Sequence, residues 1–416
     1  MPEEKFIEFV RTHEEADPAR LLLSADRWPD IDVRRAARVI EARRKIRDKL
    51  PSWYAHPDLD YPSSLALEQC SSEETARYKQ AFVPEGGRIA DLTGGLGVDC
   101  AAMSRKAAET HYCERNAALC AAARHNFPIV LQGQRPPVMP GVTDDVMPGV
   151  TDDVMPGLTG HLRIHEGDGV VWLKEQPGRF DLLYLDPARR DRAARRVYDI
   201  ADCEPNLLEI KDLLLQRADR VLVKISPMAD ISRTLAQVPE TRALHVLSAG
   251  GEVKELLLLL EPGRSATPPQ IVAAGDGLSL SFTQDEESSA PVRYAESVGA
   301  FLFQPAKALR KAGAFRLVSR RFNLAKLAPS THLYTADAPV DGFPGKCFRV
   351  EQVLDWNKDA VKALRARFDR LEMTALNFPI DTEGLRRRLD IAAGGDRHLF
   401  ATTLSDKKKI LIICTP

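Results

Sequence analysis

The sequence predicts an α/β fold in which a seven-stranded, mostly parallel sheet follows a helical segment and precedes a small α+β domain. Three observations predict it. Strand-length apolar runs alternate with helix-length amphipathic runs from residue 88 to about 260, the pattern of a parallel sheet covered on both faces. The last two strands of that stretch are separated only by Ser-Ala-Gly-Gly-Glu (248–252), too short for a crossover helix, so they form an antiparallel hairpin at the end of the sheet. The 416 residues, 44% of them hydrophobic, are enough for two or three domains with a substantial core.

Residues 1–50 are rich in Arg, Ala, Leu and Glu at helical spacing until Pro51, and a helical N-terminal segment is assigned to 1–70. In Tyr61 to Lys79, Ser71 and Glu74 are spaced as a capping box for a helix starting near 72. The main domain, 71–288, has predicted strands at 88–92, 110–114, 162–166, 180–186, 219–226, 242–247 and 253–260. Its helices are predicted near 97–108, 115–126, 168–175, 202–217 and 229–237. Val-Met-Pro-Gly-Val-Thr-Asp-Asp occurs at 138–145 and again at 146–153. A period of eight with Pro-Gly in each unit resists helix and strand, so 133–160 is expected to be a mobile loop. A second hairpin is expected at 271–283, then a polar linker over Gln284–Pro291. The C-terminal domain, 292–416, should carry helices near 305–312 and 358–371 and strands near 315–319 and 409–414.

Composition narrows the functional classes. No run approaches the roughly 20 apolar residues of a membrane span, and residues 1–20 hold six acids and no apolar signal core, so a cytoplasmic protein without membrane contact is expected. Seven cysteines form no Cys-x-x-Cys pair, which points away from a zinc site or a disulfide framework; no metal is expected. The net charge of −1 hides an asymmetry. Residues 301–416 carry 21 Lys/Arg against 12 Asp/Glu, leaving 37 against 47 in the rest, and a basic tail on an acidic body suits an anionic partner such as nucleic acid.

Two segments carry the chemistry. Asp91-Leu-Thr-Gly-Gly-Leu-Gly-Val-Asp99 closes the first strand, and its glycines allow a tight turn pressed against a ligand. The dinucleotide fingerprint fails, because Gly95-Leu-Gly97 would need a third glycine at 100 and finds Cys100. An S-adenosylmethionine site meets no such obstacle. Glu114 ends the next strand, 23 residues after Asp91, where a carboxylate can accept both ribose hydroxyls, and Asp168 ends the third strand, where it suits an adenine amino group. Asp91, Thr93, Gly94, Gly95, Gly97, Asp99, Glu114, Arg115, Asp168 and Gly169 are therefore the candidate donor-binding residues. Taken singly, Asp91 and Glu114 could be turn or helix-capping residues; at successive strand ends they form a site. The second segment, Phe180 to Arg189, ends a buried strand in Asp186-Pro187-Ala188-Arg189, the candidate catalytic segment. Lys224 and Ser226, closing the fifth strand, could line an acceptor pocket, and Gln69, Ser72 and Lys79 could close over the donor, with Lys79 pairing its carboxylate.

The order of elements resembles class I S-adenosylmethionine-dependent methyltransferases, which share a Rossmann-like sheet with a terminal antiparallel hairpin. Leu67 to Lys79, Asp186-Pro-Ala-Arg189, and the tail from Phe301-Leu-Phe-Gln-Pro-Ala-Lys307 through Thr331-His-Leu-Tyr-Thr335 resemble bacterial methyltransferases with a THUMP-like C-terminal domain. THUMP domains belong to RNA-modifying enzymes, so the resemblance implies an RNA substrate, tRNA or rRNA, and S-adenosylmethionine as cofactor. Asp186 to Arg189 also resembles the Asp/Asn-Pro-Pro-Tyr/Phe loop of amino-methyltransferases, with alanine for the second proline and Arg189 for the aromatic that stacks on a flipped base. Arginine can stack on a base or grip a phosphate. Neither Pro187-Ala188 nor Lys224-Ile-Ser-Pro-Met228 supplies a cysteine, which disfavours methylation at a pyrimidine carbon and leaves nitrogen or oxygen as acceptor. The basic run from Arg189 to Arg196 and the tail residues Arg316, Arg320, Arg321 and Lys326 are candidate RNA contacts. A small-molecule methyltransferase and a catalytically silent nucleic-acid-binding protein of the same fold are the rival readings.

Overall fold

The computed structural model describes residues 2–132, 162–189, 199–263 and 267–416. The repeat loop at 133–160 and Arg190, Arg192, Arg195 and Arg196 lie outside the described residues. The chain divides into two compact units, Met1–Ala249 with Lys254–Pro269, and Gly250–Val253 with Gln270–Pro416.

The first unit opens with helices α1 (Pro2–Thr12), α2 (Pro18–Leu23), α3 (Val33–Ile46), α4 (Pro51–Tyr54), α5 (Ser64–Gln69) and α6 (Glu73–Gln80). Pro51 begins a short helix as well as ending the earlier pattern, because proline fits the first helical position, where the missing N–H would have no partner. The helix at 73 is capped by Ser72, whose Oγ accepts from Thr75 N, and the expected Ser71–Glu74 capping box is replaced by this arrangement. Ile46, Leu50, Trp53, Leu59 and Leu67 from these helices and the turns between them join Leu96, Val98, Tyr112 and Phe127 in one core cluster. Buried Asn126 fastens the connection by bonding both the N–H and the carbonyl of Asp60. The helical segment is thereby held against the start of the sheet.

The strands and helices that follow are β1 (Gly87–Asp91), α7 (Val98–Ser104), β2 (Ala107–Glu114), α8 (Ala117–Val130), β3 (Leu162–Glu166), α9 (Gly169–Glu175), β4 (Phe180–Leu185), β5 (Ala188–Arg189), β6 (Cys203–Glu204), α10 (Leu207–Arg217), β7 (Ala218–Ile225), α11 (Ile231–Gln237), β8 (Thr241–Ala249) and β9 (Glu252–Leu260). Strands β3, β2, β1, β4 and β7 lie side by side and parallel. Gly250 and Gly251, both at positive φ, make the two-residue turn of the β8–β9 hairpin. Strand β9 runs back antiparallel to β7, placing Leu256–Leu260 against Val221–Ile225. The sheet has nine strands rather than the expected seven, in the order β11-β10-β8-β9-β7-β4-β1-β2-β3, because the hairpin β10 (Gln270–Gly275) and β11 (Leu278–Phe282) is counted with it. Chain order reverses between β1 and β4, the place where open α/β sheets bind ligands beyond their carboxyl ends.

Nδ1 of buried His245 in β8 shares a hydrogen bond with Tyr78 Oη at 2.8 Å, while Nε2 finds no hydrogen-bond partner among the described residues. Burial lowers its pKa to about 4, below the ordinary value near 6.5. The folded state therefore binds fewer protons than the unfolded chain between these values, and stability should be lost as pH falls through that window. Urea midpoints at pH 7 and pH 5 test this, with His245→Asn expected to flatten the difference.

The second unit contains, after the β10–β11 hairpin, α12 (Gln284–Ser289), β12 (Phe301–Pro305), α13 (Lys307–Ala312), α14 (Arg316–Arg321), β13 (Ala325–Ala328), β14 (Thr331–Ala336), β15 (Gly345–Asp355), α15 (Lys358–Arg367), β16 (Glu372–Leu376), α16 (Thr382–Leu389), β17 (His398–Thr403) and β18 (Lys409–Thr415). It has a seven-stranded sheet of its own, ordered β13-β14-β12-β15-β18-β17-β16. Two expectations are corrected here. The polar run at 284–289 is a helix, because Thr283 and Glu286 form a capping box. The expected strand at 315–319 is the helix α14, whose N-terminal N–H groups on Phe315, Arg316 and Leu317 are received by the Glu287 carboxylate. A partner 29 residues away decided that element. Among the described residues no helix is long and apolar enough to cross a membrane, and no group of His, Cys, Asp or Glu is placed to hold a metal ion.

Candidate active site

A cavity of about 470 Å³ opens at the carboxyl ends of β1, β2 and β4, within the size range of small-ligand and cofactor sites. Its floor is the loop after β1. Leu92 N continues the ladder to Tyr184 O, and Gly94 N bonds Cys113 O. A Cβ on Gly94 would stand 2.2 Å from the Tyr112 ring, so only glycine lets the loop lie this close to β2. Gly97, at φ +85°, turns the chain into α7.

The predicted donor-binding residues converge on this cavity. Asp91, Thr93, Gly94, Gly95, Gly97, Asp99, Glu114, Arg115, Asp168 and Gly169 all line it. Asp91 is 1% exposed, accepts from Thr93 N, and burial drives its carboxyl well above the usual carboxylate range. Glu114 does not cap α8, a role taken by Asn116. Its carboxylate instead receives Gly95 N on one oxygen and Asn116 N on the other, each at 2.8 Å, which fixes it over the glycine loop. Asp168 caps α9 with one oxygen and pairs with Arg115 through the other. Burial opposes its ionisation, but the α9 N–H groups and Arg115 outweigh it and hold its pKa below normal. Arg115 also reaches Glu204 of β6, which pairs with β5 at Ala188. The strand-end residues and the Asp186–Arg189 segment are thus tied together.

The candidate catalytic segment is anchored from both sides. Thr93 Oγ1 accepts Asp186 N at 2.6 Å, joining it to the glycine loop. Asp186 Oδ2 lies 2.6 Å from Lys224 Nζ, an ammonium only 12% exposed. Burial alone would lower the pKa of Lys224, but Asp186, Asp99 and Glu255 raise it well above the lysine range, so it stays charged. Asp186 and Ala188 line the cavity; Pro187, Lys224 and Ser226 do not, and the Arg189 side chain is outside the description. Ser226 Oγ accepts Met228 N.

Of the three residues expected to close over the donor, Gln69 lines the cavity, while Ser72 is the α6 cap and Lys79 is wholly buried. Lys79 Nζ lies 2.6 Å from Glu255 Oε1, 3.0 Å from Asp99 Oδ1 and 2.8 Å from Ser71 Oγ. Tyr184 donates to Asp99 Oδ2 at 2.7 Å. Burial works against ionisation of Asp99, but Lys79, Lys224 and Tyr184 hold its pKa down; for Glu255 burial prevails and the pKa rises. Sequence reasoning missed Ser71, Tyr184 and Glu255. The signal for Glu255 is a carboxylate directly before the five-leucine run of β9, where a strand entering the core has no reason to carry charge without a partner.

A parallel sheet that gathers a glycine loop, strand-end carboxylates and an Asp-Pro segment at its switch point defines a class I methyltransferase fold and site. Family models match the second unit, a ferredoxin-like domain over residues 301–344 and a THUMP domain-like module over 345–416. A candidate methyltransferase from Porphyromonas gingivalis W83 is 35% identical, with 99% of this chain and 97% of that chain covered at a TM-score of 0.83. The chain belongs to this family, the class I S-adenosylmethionine-dependent methyltransferases with a THUMP-like C-terminal domain. Two further structures align with about half of it. The candidate methyltransferase yhhF from Escherichia coli shares 18% identity, covering 49% of this chain and 90% of its own at a TM-score of 0.30. TrmK of M. capricolum bound to S-adenosyl-homocysteine shares 10%, covering 49% and 70% at 0.32. No curated protein matches the chain.

Proposed function

We propose that the protein transfers the methyl group of S-adenosylmethionine to a nitrogen or oxygen of an RNA nucleotide, in tRNA or rRNA, in the cytoplasm. The observation that carries this reading is the 2.6 Å bond from Asp186 N to Thr93 Oγ1, which makes the donor loop and the Asp-Pro segment one rigid piece. Methyl transfer is an in-line displacement, and alignment of donor and acceptor is what the enzyme chiefly contributes.

The residues present suit the donor. Glu114, fixed by two backbone N–H groups, still has lone pairs for the ribose hydroxyls, and Asp168, which lines the same cavity, suits the adenine amino group. Asp91 and the glycine loop flank the remainder of the cavity. S-adenosylmethionine supplies an electrophilic methyl carbon; Asp186 orients the acceptor and receives its proton. The THUMP-like module and its excess of basic side chains support an RNA acceptor.

Calorimetric titration with S-adenosylmethionine and NAD in parallel tests the reading. Micromolar binding of the former alone is expected, with Glu114→Ala weakening it by about 10-fold or more, since bonds to a charged group are lost. Absence of donor binding by the folded protein would overturn the reading.

A further inference from the structure

We infer that the acceptor atom is a hydroxyl oxygen, a ribose hydroxyl of the RNA, and that Lys224 positions Asp186 for it. This deepens the RNA methyltransferase reading and rests on it. Two independent features of the site point the same way.

The first is charge. An amine acceptor gains positive charge as it attacks a methyl carbon, and a site for it presents hydrogen-bond acceptors and avoids fixed cations nearby. Here one oxygen of Asp186 is occupied by the Lys224 ammonium at 2.6 Å, and Asp99 and Glu255 help to hold that ammonium charged. A cation fixed next to the reacting group opposes an amine nucleophile. It favours a hydroxyl, whose oxygen becomes more negative as its proton leaves. The other oxygen of Asp186 is then the proton acceptor, and Lys224 keeps the carboxylate aimed.

The second is the shape and chemistry of the walls. Among the described lining residues Tyr184 is the one aromatic side chain, and it is 1% exposed with its hydroxyl engaged by Asp99. Among the described lining residues a flipped base would find no exposed aromatic ring to stack on. At the position following Pro187 and Ala188 the sequence supplies Arg189 in place of an aromatic ring. A ribose hydroxyl needs no flipped base, only a backbone held at the mouth.

The step balances. The acceptor O–H bond breaks and its proton passes to Asp186; the oxygen–methyl bond forms as the sulfur–methyl bond breaks, leaving S-adenosylhomocysteine and a neutral methyl ether. Asp186 returns the proton to water.

The test uses the full-length protein, methyl-labelled S-adenosylmethionine and total RNA from cells lacking the protein, followed by alkaline hydrolysis. Alkali cleaves RNA through the 2′-hydroxyl, so label in alkali-resistant dinucleotides is the expected result. Label in mononucleotides with a methylated base would overturn the hydroxyl assignment while the RNA reading stands. Label in small molecules and none in RNA would remove the RNA reading and this inference together. Lys224→Met should lower the transfer rate by about 10²-fold with donor affinity unchanged, and Lys224→Arg should restore most of it. A rate within about twofold of the unaltered protein for Lys224→Met, a change too small for a lost charge contact, would overturn the role of Lys224.

Discussion

Asp186→Ala is expected to lower methyl transfer by about 10³-fold while donor binding stays nearly intact. The residues proposed to hold the donor are Asp91, Glu114 and Asp168, and none of them bonds the Asp186 side chain. The carboxylate instead lines the cavity, 36% exposed and paired with Lys224. Removing it leaves the Lys224 ammonium without its nearest anion, so Asp186→Asn is the companion variant. Asparagine preserves the shape and can still accept a hydrogen bond, but it cannot take a proton. Calorimetry and single-turnover rates on both variants separate the roles. Loss of donor affinity in a folded Asp186→Asn protein would show that this residue belongs to the donor site instead.

The convergence of these strand-end residues on one cavity is legible in the sequence because it depends on local chemistry. A glycine loop, a carboxylate at the end of the next strand and an Asp-Pro step each leave a signature within a few residues, and the alternation of apolar runs places all of them at strand ends. The strand Leu162–Glu166 and the hairpin turn at 250–251 follow from the same local rules. What escaped depends on distant partners. The Arg316–Arg321 segment is helical because Glu287 receives its first N–H groups. The adjacent serines 71 and 72 could exchange roles as far as spacing goes; Ser71 is drawn to Asp99, leaving Ser72 as the cap. Lys79, a cation on a short helix beside the cofactor motif, looked like a ligand for the donor carboxylate. Only the fold brings Glu255, 176 positions later in the chain, to 2.6 Å from it.

That burial makes Lys79→Met the substitution with the largest expected effect on stability. The ammonium has no exposed surface and lies against two carboxylates, Asp99 and Glu255, whose side chains are 10% and 2% exposed. Deleting one partner of a buried ion pair leaves uncompensated charge, at a cost of about 3–5 kcal/mol. In a unit of this size that corresponds to a fall in Tm of roughly 10 °C. Glu255 already has a raised pKa from burial, and without Lys79 it rises further. A carboxyl whose folded pKa exceeds its unfolded value takes up a proton on folding, so the deficit of the variant should shrink as pH falls toward that raised value. Adding Glu255→Gln removes one of the two orphaned charges and should recover part of the lost Tm at pH 7. Thermal denaturation of the two variants at pH 7 and pH 5.5 reads all three effects. The opposite pattern, an unchanged Tm with donor affinity lost, would mean that Lys79 swings out to meet the donor carboxylate and that its buried pairing is not the role it plays in the enzyme.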